Sequence, residues 1–106
     1  MISIDDFGKL DLRVAEILEV KDHPNADRLY TMKIKIGSEE RSLVAGIKKH
    51  YTKEELIGKK IIVIANLEPA EFRGVLSEGM LLAASDKDNV VLATVDKDIE
   101  SGAKLG

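Results

Sequence analysis

The nucleophilic and titratable residues of this chain form no recognisable catalytic pattern. Cysteine is absent and histidine occurs only at positions 23 and 50, which excludes thiolate nucleophiles and cysteine-ligated zinc. No Ser-His-Asp arrangement or glycine-rich phosphate loop occurs at the spacing that those chemistries need. Glu54 and Glu55 follow Thr52 at the spacing of a helix cap, which accounts for them without catalysis. The sequence therefore predicts a protein that is not an enzyme and that has no metal or cofactor.

Cationic side chains in the middle of the chain are the remaining candidates for a site. Lys33 and Lys35 alternate with apolar residues and would project from the polar face of one strand. Arg28, Lys48 and Lys49 could extend this positive track. Ammonium and guanidinium groups suit phosphates, and binding of that kind weakens steeply with salt. Solvated lysines on a half-exposed strand have the same pattern, so the residues alone leave both interpretations open.

Alternating hydrophobicity predicts the strands that would position these cations. The predicted strands cover residues 12–20, 30–36, 41–45, 60–65 and 79–84, and a last extended piece covers 90–95. A slip of phase around Ala15 and Glu16 predicts a bulge or bend in the first strand. A turn over residues 37–40 predicts that the second and third strands form an antiparallel hairpin.

The order of these elements predicts an all-β fold. Thr52 and Glu55 have capping-box spacing, and Gly58 ends a short helix between the third and fourth strands. Three strands, a short helix and two strands is the order of the five-stranded oligonucleotide-binding (OB) barrel, although an SH3-like barrel gives a similar order. OB barrels bind ligands on strands 2 and 3 and in loops 1-2 and 4-5, here residues 21–28 and 66–78.

Length and charge limit the class of protein. The 106 residues predict a single domain over 1–106. The formal net charge is -3, which is unusual for a nucleic-acid binder, but residues 21–80 carry a net charge of +2. The absence of cysteine fits a reducing compartment, and no apolar run approaches the roughly 20 residues of a membrane span. We therefore expect a cytoplasmic protein with no membrane partner.

Four ordered motifs resemble a known family. Residues 11–14, 23–30, 66–69 and 73–80 read DLRV, HPNADRLY, NLEP and RGVLSEGM. Together they resemble the tRNA-binding domain that is found at the C-terminus of many methionyl-tRNA synthetases, in free-standing tRNA-binding proteins, and in the endothelial monocyte-activating polypeptide family. The resemblance implies an OB fold, homodimerisation as in the free-standing members, and recognition of tRNA by its shape. It also makes a methionyl-tRNA synthetase a candidate partner besides tRNA and a second copy of the chain.

The motifs supply the hydrogen-bonding and charged groups that an RNA-binding surface of a protein needs. Asn66 offers a donor and an acceptor, Arg73 a planar fork, and Ser77 a hydroxyl. The match favours Lys33 over Lys35, and it moves Met80 from a core position toward the binding loop. Gly74 and Gly79 are interpreted as backbone devices at a turn and a bend. The predicted tRNA-binding residues are Arg28, Lys33, Asn66, Arg73, Ser77 and Met80.

The chain also departs from the family. Glu68 and Glu71 lie where relatives commonly have basic residues, Ala45 where serine is frequent, and Ala15 where glycine is common. The alternative function is that of the related secretion chaperones, which are dimeric OB barrels that bind unfolded peptides. The intact motifs at 66–69 and 77–80 favour tRNA over peptide.

The two terminal segments, residues 3–7 with Ile2 before them and residues 90–105, are predicted to form the dimer interface. They lie outside the minimal barrel and carry apolar residues that a two-fold pair would bury. These residues are Ile2, Ile4, Phe7, Val95, Ile99 and Leu105.

Overall fold

A strongly curled five-stranded sheet is the main element of the computed structural model, which describes all 106 residues. The strands are β1 (Leu12–Asp22), β2 (Tyr30–Ile36), β3 (Glu39–Ala45), β4 (Lys60–Ile64), β5 (Ala70–Phe72), β6 (Val75–Ser77), β7 (Met80–Leu81), β8 (Ala83–Ser85) and β9 (Val90–Leu92). The one-turn helices are α1 (Ile4–Phe7) and α2 (Lys53–Leu56). The main sheet has the order β3-β2-β1-β4-β7, and β5-β6 and β8-β9 are separate hairpins. The predicted OB-like fold is confirmed.

Local signals in the sequence account for several of these elements. The Thr52 hydroxyl accepts a hydrogen bond from the Glu55 amide, and the Glu55 carboxylate accepts one from the Thr52 amide at 2.7 Å. This capping box starts α2 as predicted. The bulge in β1 is also present, but its register shift lies between Ile17 and Glu19, slightly beyond the predicted position. None of the helices is long and apolar enough to span a membrane.

The structure divides the predicted fifth strand in two. Its first part, β7, pairs with β4, and its second part, β8, pairs with β9. Two elements were not predicted: α1, which is capped by a box of Ser3 and Asp6, and the β5-β6 hairpin inside the connection between β4 and β7. The loop that sequence patterns assigned to residues 66–78 therefore contains ordered secondary structure.

The inner face of the curled sheet forms the hydrophobic core. Side chains from β1, β2, β3, β4 and α2 are completely buried there, among them Ile17, Ile34, Leu43, Leu56 and Ile61. The sheet closes where β3 meets residues 77–79. At this closing seam the Glu78 amide donates to the Ser42 carbonyl at 2.8 Å, and the Ser77 hydroxyl accepts from the Val44 amide at 3.1 Å.

The C-terminal segment lies along the first half of β1. The Gly102 amide donates to the Val14 carbonyl at 2.7 Å, and the Leu105 amide donates to the Leu12 carbonyl at 2.9 Å. Here the turn between β2 and β3 touches the segment backbone to backbone. Gly102 has a φ of +92°, and a β-carbon on it would lie 2.9 Å from the Cα and N atoms of Gly37. The segment thus completes the edge of β1 that β2 leaves open.

Candidate nucleic-acid interface

The β5-β6 hairpin presents Arg73 at its tip. Phe72 pairs with Val75, so the turn consists of Arg73 and Gly74, with φ values of +50° and +91°. Two positive φ values are typical of the type I′ turns that suit the twist of a hairpin, and their first position favours asparagine or glycine. Arg73 is the only residue other than glycine with a positive φ. A left-handed conformation costs an L-residue roughly 1–3 kcal/mol, and such outliers cluster at functional sites.

Two side chains from the segment after β1 hold this tip. His23 is buried, its Nε2 lies 2.7 Å from the Phe72 carbonyl oxygen, and its Nδ1 accepts from the Asn25 amide at 2.9 Å. Because the amide can only donate, Nδ1 is the acceptor and Nε2 carries the proton that is donated to Phe72. The Asn25 side-chain Nδ2 donates to the Arg73 carbonyl at 3.1 Å. Loops 1-2 and 4-5 are therefore joined by hydrogen bonds.

This junction brings two of the predicted site residues together. Arg28 and Arg73 are both exposed and line an open concavity of about 410 Å³ between the two loops. The other lining residues are Asn25, Ala26, Asp27 and Leu29. A guanidinium on each side lets the concavity bind an anion, or stack on a planar ring, from two directions.

The other two arginines are engaged within the protein. Arg13 forms an ion pair with Asp11 at 2.7 Å and donates to the Gly102 carbonyl at 3.1 Å. Arg41 forms an ion pair with Glu39 at 2.7 Å and donates to the Ala65 carbonyl. Arg28 and Arg73, in contrast, form no ion pair. Their guanidinium groups are therefore available to a ligand.

The outer face of β2 is less basic than its own sequence indicates. Lys35 pairs across the sheet with Glu16 on one side and Glu40 on the other. Lys33 lies between Glu19 and Ser42, and its Nζ is 4.0 Å from Glu40. Both lysines thus have carboxylates nearby, but Lys33 also lines a depression that extends to Val75 of β6. Lys33 and the two exposed arginines consequently all border the β5-β6 hairpin.

The positive track proposed for the β3-β4 connection is partly neutralised. Asp22 accepts hydrogen bonds from Lys53 at 3.0 Å and from Lys48 at 3.1 Å. These two contacts, that with Lys53 foremost, lower the pKa of Asp22 below its usual value. Lys49 is exposed and forms no ion pair, so it stays available to a ligand.

The three remaining predicted residues have partners inside the protein. The Asn66 side chain accepts from the Asp11 amide at 2.8 Å and donates to the Lys9 carbonyl at 2.7 Å. Ser77 is buried, with its hydroxyl at the closing seam, and Met80 is half-buried on β7. These contacts anchor the two ends of the connection between β4 and β7 to the rest of the protein. Direct contact of any of the six residues with RNA stays a prediction.

Sequence reasoning missed the roles of His23 and Asn25. The sequence places both only in the predicted loop of residues 21–28, and nothing in it indicates that His23 is buried. Their acceptors lie about fifty residues further along the chain, in a hairpin that was not predicted. No group of three or more His, Cys, Asp or Glu residues is arranged to hold a metal ion.

Known proteins share both the sequence and the fold. The family model described as "Putative tRNA binding domain" matches residues 12–104. Methionine–tRNA ligases of Pyrococcus horikoshii and Thermotoga maritima are 58% and 52% identical over 104 residues, or 98% of this chain, which spans only 14% and 16% of their length.

Solved structures agree with this match. A MetRS-related protein from Pyrococcus horikoshii has a TM-score of 0.93 and 34% identity, covering 100% of this chain and 98% of its own. The CsaA chaperone protein from Picrophilus torridus has a TM-score of 0.93 and 38% identity over the whole of both chains. The family model and the two structures each cover most or all of the curled sheet and its terminal segments. The chain therefore belongs to the tRNA-binding domain family that is related to the C-terminal part of methionyl-tRNA synthetases.

Proposed function

We propose that this chain binds folded tRNA without catalysing a reaction, and that it raises the tRNA affinity of a cytoplasmic methionyl-tRNA synthetase as a domain or a separate subunit. The relatives named methionine–tRNA ligase support this assignment, since the chain corresponds to about one seventh of their length. Catalytic residues would then lie elsewhere in such an enzyme, and the chain would contribute binding energy alone.

The observation that carries the proposal is the pair of uncommitted arginines at one concavity. Arg28 and Arg73 come from two loops that hydrogen bonds hold together, so the two planar donors are attached to backbone positions that stay close to each other. Two such donors at one concavity can bind phosphates or stack on exposed bases that a folded RNA brings together. Aromatic residues make up 4% of the chain, too few for the stacked rings that bind single strands.

A homodimer is the second part of the proposal. Ile2, Ile4 and Ile99 expose 73%, 80% and 48% of their surface, so the termini retain apolar area for a second copy. Two copies would offer two arginine concavities to one RNA, which raises avidity in a chain of net charge -3. We expect Ile4→Glu to give a monomer in sedimentation and to weaken tRNA binding. A monomer that binds tRNA at full strength would contradict this coupling.

The binding proposal is tested by band-shift with bulk tRNA, single-stranded RNA and duplex RNA over a salt series. Arg28→Ala and Arg73→Ala should each cost about 1–3 kcal/mol, or roughly 5- to 150-fold in affinity for tRNA. Lys87→Ala is the matched control, because Lys87 is an exposed cation in the turn between β8 and β9. It should change affinity less than about 2-fold. Absent binding at low salt, or equal affinity of all four proteins, would refute the proposal.

The link to a synthetase needs a separate assay. Aminoacylation by a methionyl-tRNA synthetase that carries or recruits this domain should show a raised KM for tRNA and an unchanged kcat when Arg73 is replaced by alanine, because the lost contact is made equally in the ground and transition states. A fall in kcat with an unchanged KM would argue against an affinity role.

Peptide binding is the second candidate function, and one observation favours it. The CsaA chaperone protein is 38% identical over the whole chain, and Leu67 and Leu76 expose 43% and 48% of their surface in the connection between β4 and β7. Suppression of the aggregation of an unfolded protein, independent of salt and lost in Leu76→Asp, would support this candidate. Suppression that needs Arg73 and fades with salt would not.

A further inference from the structure

We propose that His23 and Asn25 are positioning residues that dock the β5-β6 hairpin so that Arg73 faces Arg28. The inference rests on the proposed tRNA-binding function and assigns two residues that act through Arg73. Neither needs to touch RNA: the His23 side chain is buried, and the side-chain amide of Asn25 is directed at the backbone of the turn.

The hairpin needs such a support because it is small. Each of its strands has three residues, and isolated two-stranded hairpins of this kind are marginally stable in water. Its base is fixed at the closing seam, where Ser77 bonds to Val44 of β3. Its tip receives two hydrogen bonds from the rest of the protein, one from His23 to Phe72 and one from Asn25 to Arg73. Without them the tip is free to move away from the concavity.

His23 and Asn25 act through two consecutive hydrogen bonds. His23 Nδ1 accepts a hydrogen bond from the backbone N–H of Asn25 at 2.9 Å and thereby holds the backbone of residue 25 beside the hairpin. Asn25 then holds the carbonyl of Arg73, the residue with the left-handed backbone. A β-carbon on Gly74 would lie 3.8 Å from Asn25 Nδ2, so the Asn25 side chain also lies beside the second residue of the turn. Arg73 can therefore keep its unfavourable φ because its own carbonyl is fixed.

A double-mutant cycle tests this role. Asn25 is exposed, so Asn25→Ala should fold. We expect Asn25→Ala to weaken tRNA binding roughly 5- to 10-fold in the wild-type background and less than about 2-fold in the Arg73→Ala background. The second effect is small because Asn25 acts only by positioning Arg73, whose side chain is then absent. Asn89→Ala is the matched control. Asn89 is an exposed asparagine bonded to Asp86 in the turn between β8 and β9, and its loss should leave tRNA affinity unchanged.

Two substitutions at position 23 distinguish the hydrogen bond to Phe72 from simple packing of the side chain. His23→Leu keeps an apolar side chain in the buried site without a donor, and should weaken tRNA binding about as much as Asn25→Ala. His23→Gln carries an amide donor near the position of Nε2, so it should recover most of that loss through the Phe72 carbonyl. Circular dichroism melting of each variant fixes a temperature at which all are folded for the binding assay.

The outcomes are distinguishable. If wild-type protein fails to bind tRNA, the proposed function fails and the inference falls with it. If wild-type protein binds and Arg73→Ala weakens binding, while Asn25→Ala matches wild type or weakens both backgrounds equally, the inference alone is overturned. Equal losses in His23→Gln and His23→Leu would likewise overturn the role given to the Phe72 hydrogen bond.

Discussion

Replacing Ser77 by alanine removes one hydroxyl group from the closing seam and should destabilise the fold. In the native structure this hydroxyl accepts from the Val44 amide at 3.1 Å and donates to the Gly79 carbonyl at 3.0 Å. Both Ser77 and Val44 are 2% exposed, so water cannot replace the lost partner without opening the seam. The perturbation therefore leaves a donor and an acceptor unpaired inside the protein.

The magnitude follows from these two groups. An unpaired buried N–H costs about 1–3 kcal/mol, and the loss of a donor to the Gly79 carbonyl adds roughly 0.5–1 kcal/mol. The sum of about 1.5–4 kcal/mol is a large fraction of the 5–15 kcal/mol that is typical of a folded domain. For a chain of this size it corresponds to a fall in melting temperature of at least about 6 °C.

Chemical denaturation followed by circular dichroism measures this loss, and amide hydrogen exchange at Val44 should accelerate with it. Ser42→Ala is the matched control: Ser42 lies half-buried on the same seam, but it joins the seam through its backbone amide and carbonyl. Its replacement should change stability by less than about 0.5 kcal/mol. If the two variants are equally stable, the hydroxyl does not hold the seam and the reasoning is wrong.

Three further predictions follow from backbone geometry and charge. Gly79→Ala should destabilise the protein by about 1–3 kcal/mol or prevent folding, because Gly79 has a φ of +115° and an added β-carbon would lie 2.8 Å from a backbone oxygen of β4; denaturation checks this. The pKa of Asp22 is lowered in the folded state, chiefly by Lys53, so its contribution to stability is present above the unfolded pKa of about 3.8 and is lost as the pH falls through the folded value. The difference in melting temperature between wild type and Asp22→Asn should therefore be largest near neutral pH and vanish at strongly acidic pH; a difference that persists there would contradict the assignment. Lys33→Ala should make tRNA binding less dependent on salt because Lys33 lines the depression that extends to Val75 of the β5-β6 hairpin, whereas Lys35→Ala should have a smaller effect because Lys35 lies in a separate concavity lined by Glu16, Asp98 and Glu100; equal slopes in the salt series would argue against this difference.

Sequence patterns predicted the elements whose signals are local. The alternation from Tyr30 to Ile36 gave the whole of β2, and the Thr52–Glu55 pair gave the start of α2. The β5-β6 hairpin escaped because three-residue strands are too short to show a period, and its turn is Arg-Gly in place of the usual Asn-Gly. The division between β7 and β8 escaped because alternation cannot tell which strand is the partner.

The sequence predicted which types of residue form the candidate site, but not which of them are available to a ligand. Sequence shows four arginines, yet only the fold shows that Arg13 and Arg41 are engaged internally and that Arg28 and Arg73 are not. Asn66 has the donor and acceptor that were expected of it, but both are directed at the segment before β1. Whether a polar side chain is available depends on contacts between residues far apart in the chain, and the pattern near each residue contains no record of them.

The contact between the β2-β3 turn and the C-terminal segment makes two neighbouring glycines unequal in mutational tolerance. A β-carbon on Gly37 would lie 4.0 Å from its nearest neighbour, so only the left-handed φ of +63° restricts that position, and asparagine can adopt such a conformation. On Gly102 the same atom would overlap the backbone of the turn. In a saturation library selected for folding, asparagine should therefore survive at position 37, while position 102 should accept glycine alone unless the turn itself is rebuilt.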